Sequence, residues 1–152
     1  MPTVNVKKLQ FIYFIANGLV LLAIVILYFW EDKLGLPLDF SWKAMPVVIL
    51  FLSFAAAFII PMWIRILMFN KRPVSKERLS VFETVIILSA SFAFAMAAVA
   101  YVFKINTVIR AAIVLSGFFA LYMSYPSEKK INFDIKTFVN VSPEASKNIQ
   151  QY

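Results

Sequence analysis

The chain has 152 residues, of which 62% are hydrophobic and only 15% charged, and its formal net charge is +7. A soluble domain carries about 25% charged residues, so this composition indicates that the bilayer is the main solvent of the chain. The absence of histidine and cysteine excludes imidazole acid–base chemistry, histidine zinc sites, iron–sulfur clusters and disulfides. We therefore expect no cofactor, no metal site and no enzymatic activity.

Four apolar segments predict four transmembrane helices. A helix needs about 20 apolar residues to cross the hydrocarbon core, where every backbone amide must bond internally. The predicted fold is all-α, an integral membrane four-helix bundle over residues 1–125. The tail, residues 126–152, is too short for an independent domain. The spans lie at about residues 9–30, 44–69, 79–103 and 107–125.

The first two spans contain one polar residue and two prolines that affect helix structure. Asn17 lies near the middle of the first span. Pro46 falls in the first turn of the second span, where proline is tolerated. Pro61 removes a backbone amide and is expected to bend this helix one turn before Arg65.

The third span is rich in small residues. Ser89, Ala93 and Ala97 recur every four residues and predict a helix-packing face that another backbone can approach closely. Asn106 is the predicted N-cap of the fourth span, which forms an antiparallel hairpin with the third. Pro126 ends the fourth span.

The tail carries two short patterns. Ile131, Phe133 and Ile135 alternate with polar residues, which predicts a short strand. Because a lone strand is unstable, it would lie along the interface, pair with another chain or stay flexible. Ser142-Pro143-Glu144 is typical of the start of a short helix.

Basic residues predict the orientation of the bundle. Only Lys33, Lys43, Lys104 and Arg110 flank one face, and the remaining 11 of the 15 basic residues flank the other. Lysine and arginine accumulate in cytoplasmic loops, so both termini are predicted to be cytoplasmic. The expected location is the bacterial cytoplasmic (inner) membrane.

The loop between the second and third spans is the most basic segment. A cluster of this size favours anionic lipid headgroups over nucleic acid as its partner. Its cationic residues are Lys71, Arg72, Lys76 and Arg78.

Arg65 and Glu83 form a candidate intramembrane ion pair. Each lies about one turn inside its span, at a similar depth of roughly 6 Å. Ionisable residues inside spans are costly and tend to pair or face the bundle interior. The pair is either structural or a proton- or ligand-linked site beside Pro61, and the alternative is that both side chains snorkel separately to the interface.

Four polar residues fall near the bilayer midplane and are candidates for polar contacts between helices. They would line a substrate or water path, or form ordinary interhelical hydrogen bonds of about 0.6 kcal/mol each. Hydroxyl groups also bond readily to their own helix backbone. The four residues are Asn17, Ser53, Ser89 and Ser116.

Residues 76–131 contain motifs that are similar to those of a known group of proteins. The segment enters its first span through Ser80-Val81-Phe82-Glu83 and leaves its second through Tyr125-Pro126-Ser127-Glu128-Lys129-Lys130. It resembles small four-span bacterial membrane proteins that have an acidic residue early in the third helix and a basic exit containing proline. These proteins are uncharacterised, so the resemblance implies a fold but no activity.

The sequence is compatible with two functions. The first is a non-catalytic accessory or structural subunit that packs against other membrane protein subunits through its small-residue helix face and its tail. The alternative is a small homo-oligomeric transporter or ion-conducting protein that uses Glu83 and Arg65. Transport would require flux to depend on Glu83, whereas a subunit would copurify with partners.

Overall fold

The computed structural model describes residues 4–30, 44–103 and 105–139, and within these ranges every regular element is helical. The all-helical structure confirms the predicted all-α fold, and four stretches of helix are long and apolar enough to cross a membrane. The elements are α1 (Val6–Trp30), α2 (Met45–Phe54), a π-helical turn (Ala55–Ile59), α3 (Ile60–Asn70), α4 (Lys76–Val102), α5 (Thr107–Ser124), α6 (Glu128–Asp134) and a second π-helical turn (Ile135–Val139).

Side-chain caps set the starts of four helices, and in α1 the backbone amide of Lys8 donates to Asn5 Oδ1 at 3.0 Å. Ser75 and Ser127 each accept a hydrogen bond from the backbone amide three residues later, which begins α4 and α6. Asn106 accepts one from the amide two residues later, at 2.9 Å, and begins α5. Such caps satisfy amides that have no partner in the first turn. The predicted N-cap at Asn106 is therefore confirmed.

The second span is interrupted where Pro61 predicts an irregularity. Helix α2 passes into the π-helical turn Ala55–Ile59, and α3 resumes with Pro61 in its first turn. Proline has no amide to donate to the preceding turn, and wide π-helical turns are one way a helix accommodates this loss. Pro61 lies about one turn before Arg65, and the π-helical turn lies about two turns before it.

Helix α4 is the centre of the bundle. In the most apolar stretch of α4, 50% of the residues are buried, whereas in the corresponding stretch of α1 only 11% are buried. Helix α4 packs against α1 and also against α2 and α5. Ser89, Ala93 and Ala97 are all buried within the chain. The predicted helix-packing face is thus occupied by neighbouring helices of the same chain.

The predicted strand in the tail is wrong, because this segment is the helix α6 and the π-helical turn after it. Ile131, Asp134 and Phe138 are buried, whereas Phe133 is 64% exposed. The buried residues follow a helical spacing of three and four. A strand would place Phe133 on the inward face and Asp134 on the outward face, which is the reverse of what the structure shows.

The tail folds back onto the bundle. Ile131 packs against Leu9 of α1, and the carbonyl of Phe138 accepts a hydrogen bond from the amide of Val74 at 2.8 Å. Helix α6 therefore covers the end where α1 and α4 begin and α3 and α5 end, which we call the α6 end. The predicted helix start at Ser142-Pro143-Glu144 lies outside the described residues, as do Lys33, Lys43 and Lys104.

Candidate functional site

Four charged side chains meet at the α6 end, and we call them the charged cluster: Arg65, Glu83, Lys130 and Asp134. Arg65 comes from the middle of α3, and Glu83 lies about two turns after the start of α4. Lys130 and Asp134 are four residues apart on α6, so they lie on the same face of that helix. Docking of α6 is what brings the four residues together.

Each acidic residue of the charged cluster has a different cationic partner. The Lys130 Nζ donates to Glu83 Oε2 at 2.8 Å, and Arg65 Nη1 lies 3.5 Å from Asp134 Oδ1. Glu83 and Asp134 are fully buried, whereas the Arg65 side chain is 42% exposed. The Glu83–Lys130 contact is therefore the closer and better shielded of the two ion pairs.

The direct ion pair predicted between Arg65 and Glu83 does not form among these contacts. Both residues belong to the charged cluster, as their similar depth indicated, but α6 supplies an opposite charge to each of them. Lys130 and Asp134 were missed because the tail was interpreted as a strand. Ser127 followed by Glu128 was an available signal, since an N-cap followed by an acidic residue is typical of a helix start.

Three buried oxygens of the charged cluster accept no hydrogen bond: Glu83 Oε1 and both carboxyl oxygens of Asp134. Burial and, to a smaller extent, the nearby Glu83 carboxyl group together raise the pKa of Asp134 to about 6, against the opposing effect of Arg65 and Lys130. A buried carboxylate without donors is unfavourable. Asp134 is thus a group that can exchange a proton near neutral pH.

An apolar cavity of about 190 Å³ lies beside the charged cluster. Pro61 and Met62 line it from α3, Ile86 from α4 and Phe119 from α5, and Arg65 is the charged residue in its wall. The cavity lies along the π-helical turn Ala55–Ile59, which comes directly before Pro61's helix and contributes Phe58 to the lining. It therefore connects an apolar, membrane-level space to the cationic edge of the charged cluster.

An open groove of about 710 Å³ runs along the seam between α2 and α5. Its walls are apolar and largely aromatic, with Phe54 on α2 and Leu115, Phe118 and Tyr122 on α5. The stacked rings of Phe58 and Phe119, 5.1 Å apart, line both the groove and the cavity. We call this feature the α2–α5 groove.

Ser53 and Ser116 are the midplane candidates that meet. Their hydroxyl oxygens lie 2.8 Å apart and link α2 to α5. The Ser53 hydroxyl is also 3.3 Å from the carbonyl of Ala93 on α4, and that of Ser116 donates to its own helix at Ile113. These groups are used for contacts between helices.

Asn17 and Ser89 do not join that contact. The side chain of Asn17 accepts a hydrogen bond from Ser91 at 2.8 Å and donates to the carbonyl of Tyr13, within α1. Ser89 donates to the carbonyl of Ile86 on its own helix. The four predicted midplane residues therefore form no single polar layer, and Ser91 is an interhelical partner that the sequence analysis missed.

The basic loop divides into two parts. The Arg72 guanidinium lies 3.8 Å from the ring centre of Phe69 and 5.1 Å from that of Phe138, so it binds the tail. Lys71 and Arg78 are exposed and line a small pocket of about 270 Å³, and Lys76 is partly buried. Of the four residues predicted to face lipid, Arg72 is thus engaged within the chain.

No family model matches the chain, and neither a curated protein nor a solved structure is significantly similar to it. The function of the chain is therefore inferred from the structural features described above.

Proposed function

We propose that the protein is a non-catalytic subunit of a larger assembly in the bacterial cytoplasmic membrane. The single observation that carries this proposal is the α2–α5 groove, an open aromatic surface at membrane level. The Ser116 hydroxyl in its wall lies 2.8 Å from that of Ser53, and most of the remaining wall is apolar surface for packing. The occupant we propose is a transmembrane helix of a partner subunit.

The dimensions of the groove suit a helix. Its wall on α2 and the π-helical turn after it runs from Leu50 to Phe58, and eight steps of 1.5 Å make about 12 Å, or roughly two helical turns. Leu115 and Tyr122 are 68% and 80% exposed, so large side chains already stand beside the space that a partner would fill. Tyrosine and phenylalanine provide large contact areas at helix interfaces. The expected partner surface is therefore small-residue or aliphatic.

The proposed contact differs from the one that the sequence favours. Ala93 and Ala97 are 0% and 1% exposed, so this face is filled by the chain's own helices. The tail is likewise occupied at the α6 end, through Lys130 and Phe138. A partner therefore docks on the α2–α5 groove in this proposal.

Cysteine cross-linking tests the subunit role. The chain has no cysteine, so Leu115→Cys supplies a unique attachment point for a maleimide photo-cross-linker in native membranes. We expect one discrete adduct with a different protein. Leu22→Cys, on the exposed face of α1 and 56% exposed before substitution, is the matched control and should give none. Equal, diffuse labelling at both positions would contradict the proposal, and an adduct of twice the chain mass would identify a homo-oligomer instead.

We further propose that both termini and α6 are cytoplasmic. The charge asymmetry supports this orientation, which brings the exposed Lys71 and Arg78 to anionic headgroups. A membrane-impermeant maleimide should label Thr107→Cys in intact cells and Lys71→Cys only after permeabilisation. The reverse pattern would invert the proposed topology.

The second candidate is a homo-oligomeric transporter or ion-conducting protein. The burial of Glu83 inside the third candidate span favours it, because buried ionisable groups within membrane spans often mark ion pathways. Glu83→Gln separates the two candidates. Loss of ion flux in proteoliposomes with an intact oligomer would favour transport, whereas unchanged flux would leave the subunit role.

A further inference from the structure

We propose that Glu83 and Asp134 form a single proton-binding site, and that the proton held between them fastens α6 to the bundle. This inference concerns the attachment of the tail and rests on neither proposed function. A partner subunit or a transport activity can be absent without affecting it.

The first argument is the set of unpartnered oxygens. An ionised carboxyl group accepts hydrogen bonds but donates none. Lys130 satisfies Glu83 Oε2, while Glu83 Oε1 and both oxygens of Asp134 are left without a donor although both side chains are at most 1% exposed. Leaving buried acceptors unpaired is costly, so the site as built lacks a donor.

The second argument is proximity. Lys130 and Asp134 lie on the same face of α6, and Lys130 contacts Glu83 at 2.8 Å, so the Asp134 carboxyl group lies beside that of Glu83. They come from different elements, Glu83 from α4 and Asp134 from α6. A single proton therefore supplies the missing donor and at the same time links α6 to the centre of the bundle. Two carboxyl groups that share one proton are a common outcome of such crowding.

The surrounding charges decide which carboxyl group holds the proton. Lys130 of α6 makes its 2.8 Å bond to Glu83, so the Glu83 carboxyl group has a cation in direct contact with it. Asp134 faces Arg65 of α3 at 3.5 Å, and this guanidinium is partly solvated. On the remaining side, α1 packs against α6 through Leu9 and Ile131, which are apolar. Asp134 is thus the less compensated of the two acids and the one that accepts the proton.

The direction of the pH effect follows from these surroundings. The pKa of Asp134 is about 6 in the docked tail and 3.8 for an ordinary aspartate, because burial and Glu83 disfavour the ionised form. A proton thus binds more tightly to the docked state. Docking is therefore strongest at low pH and weakens as pH rises through about 6. Between pH 5 and pH 8 the docking equilibrium should weaken about tenfold.

Two cysteine positions on α6 measure docking in the full chain. Ile131 is fully buried, and Phe133 on the same helix is 64% exposed. The reaction rate of Ile131→Cys with a water-soluble maleimide requires undocking, whereas that of Phe133→Cys does not. Dividing the first rate by the second removes the intrinsic pH dependence of the thiol. We expect this ratio to rise about tenfold from pH 5 to pH 8.

Two further variants assign the effect to the shared proton. Asp134→Asn and Glu83→Gln, each placed in both cysteine backgrounds, replace one carboxyl group by an amide that cannot titrate. Asp134→Asn should flatten the pH profile of the ratio, and Glu83→Gln should reduce its pH dependence, because the burial of Asp134 remains. An unchanged profile in both variants, or a flat profile in the parent chain, would overturn the proposal.

Infrared spectroscopy keeps the proposal testable if a variant does not fold. The native chain in detergent should show a protonated-carboxyl band at pH 5 that decreases through about pH 6 and returns on reacidification. If this band is absent over the whole range, no proton is shared at the site and the proposal fails.

Discussion

The charged cluster at the α6 end and the hydrogen bonds at the midplane are two different uses of polar residues in one apolar bundle. At the midplane, Ser53 meets Ser116 and Ser91 meets Asn17, each pair at 2.8 Å, and all four groups are neutral. In the charged cluster, three buried carboxyl oxygens have no hydrogen-bond donor. The midplane contacts satisfy themselves, whereas the charged cluster depends on α6 and on a proton.

This difference follows from whether a polar group has another partner on its own helix when its contact breaks. A serine hydroxyl that loses its partner can return to a carbonyl of its own helix, as Ser116 does at Ile113. A buried carboxylate has no such local alternative. Substitutions should therefore be costly in the charged cluster and mild at the midplane.

The largest effect is expected from Lys130→Met. This change keeps the length of the side chain but leaves Glu83 buried without a cation, which should lower the free energy of unfolding by about 3–5 kcal/mol. The measurement is unfolding in mixtures of SDS and a mild detergent, followed by tryptophan fluorescence.

Lys129→Met is the matched control for this change. Lys129 is exposed on the same helix, so its loss should alter stability by less than about 0.5 kcal/mol. Adding Glu83→Gln to Lys130→Met should recover much of the stability, because the unpaired charge is then gone. Equal effects of the two lysine substitutions would show that the ion pair in the charged cluster does not stabilise the fold.

An intermediate effect is expected from Gly117→Ala, next to Ser116. A Cβ atom at Gly117 would lie 3.0 Å from the Cα of Phe94 and 3.2 Å from its ring. Helices α4 and α5 would have to move apart, at a cost of about 1–3 kcal/mol. The same unfolding titration measures it.

Gly18→Ala is the control for helix propensity, because a Cβ atom there meets nothing within 4 Å. This variant should match the parent chain or be slightly more stable. If both alanine variants behave alike, close packing between α4 and α5 is not what Gly117 provides.

The sequence predicts best what depends on local composition. The four spans and the cap at Asn106 follow from apolar length and short-range hydrogen bonding, and the structure agrees with them. The irregularity before Pro61 is local too, since one missing amide causes it. None of these features requires knowledge of which helices are neighbours.

The charged cluster was only half predictable, because it is a tertiary feature. Arg65 and Glu83 stand out as ionisable residues within spans, but their partners come from a tail helix. The alternation of Ile131 and Phe133 indicated a strand because Asp134 was counted as solvent-facing. A buried aspartate is rare without partners, and its partners are visible only once α6 is docked.

The smallest effect is expected at the contact between Ser53 and Ser116. Single alanine substitutions should each cost little, and the coupling energy of the double-mutant cycle should be about 0.6 kcal/mol. Ser89→Ala is the matched control, since Ser89 bonds only to the carbonyl of Ile86 among the hydrogen bonds between described residues. Its coupling to Ser116→Ala should be near zero. A Ser53–Ser116 coupling as large as the loss in Lys130→Met would contradict the comparison, because a neutral midplane contact would then stabilise the fold as strongly as the buried ion pair does.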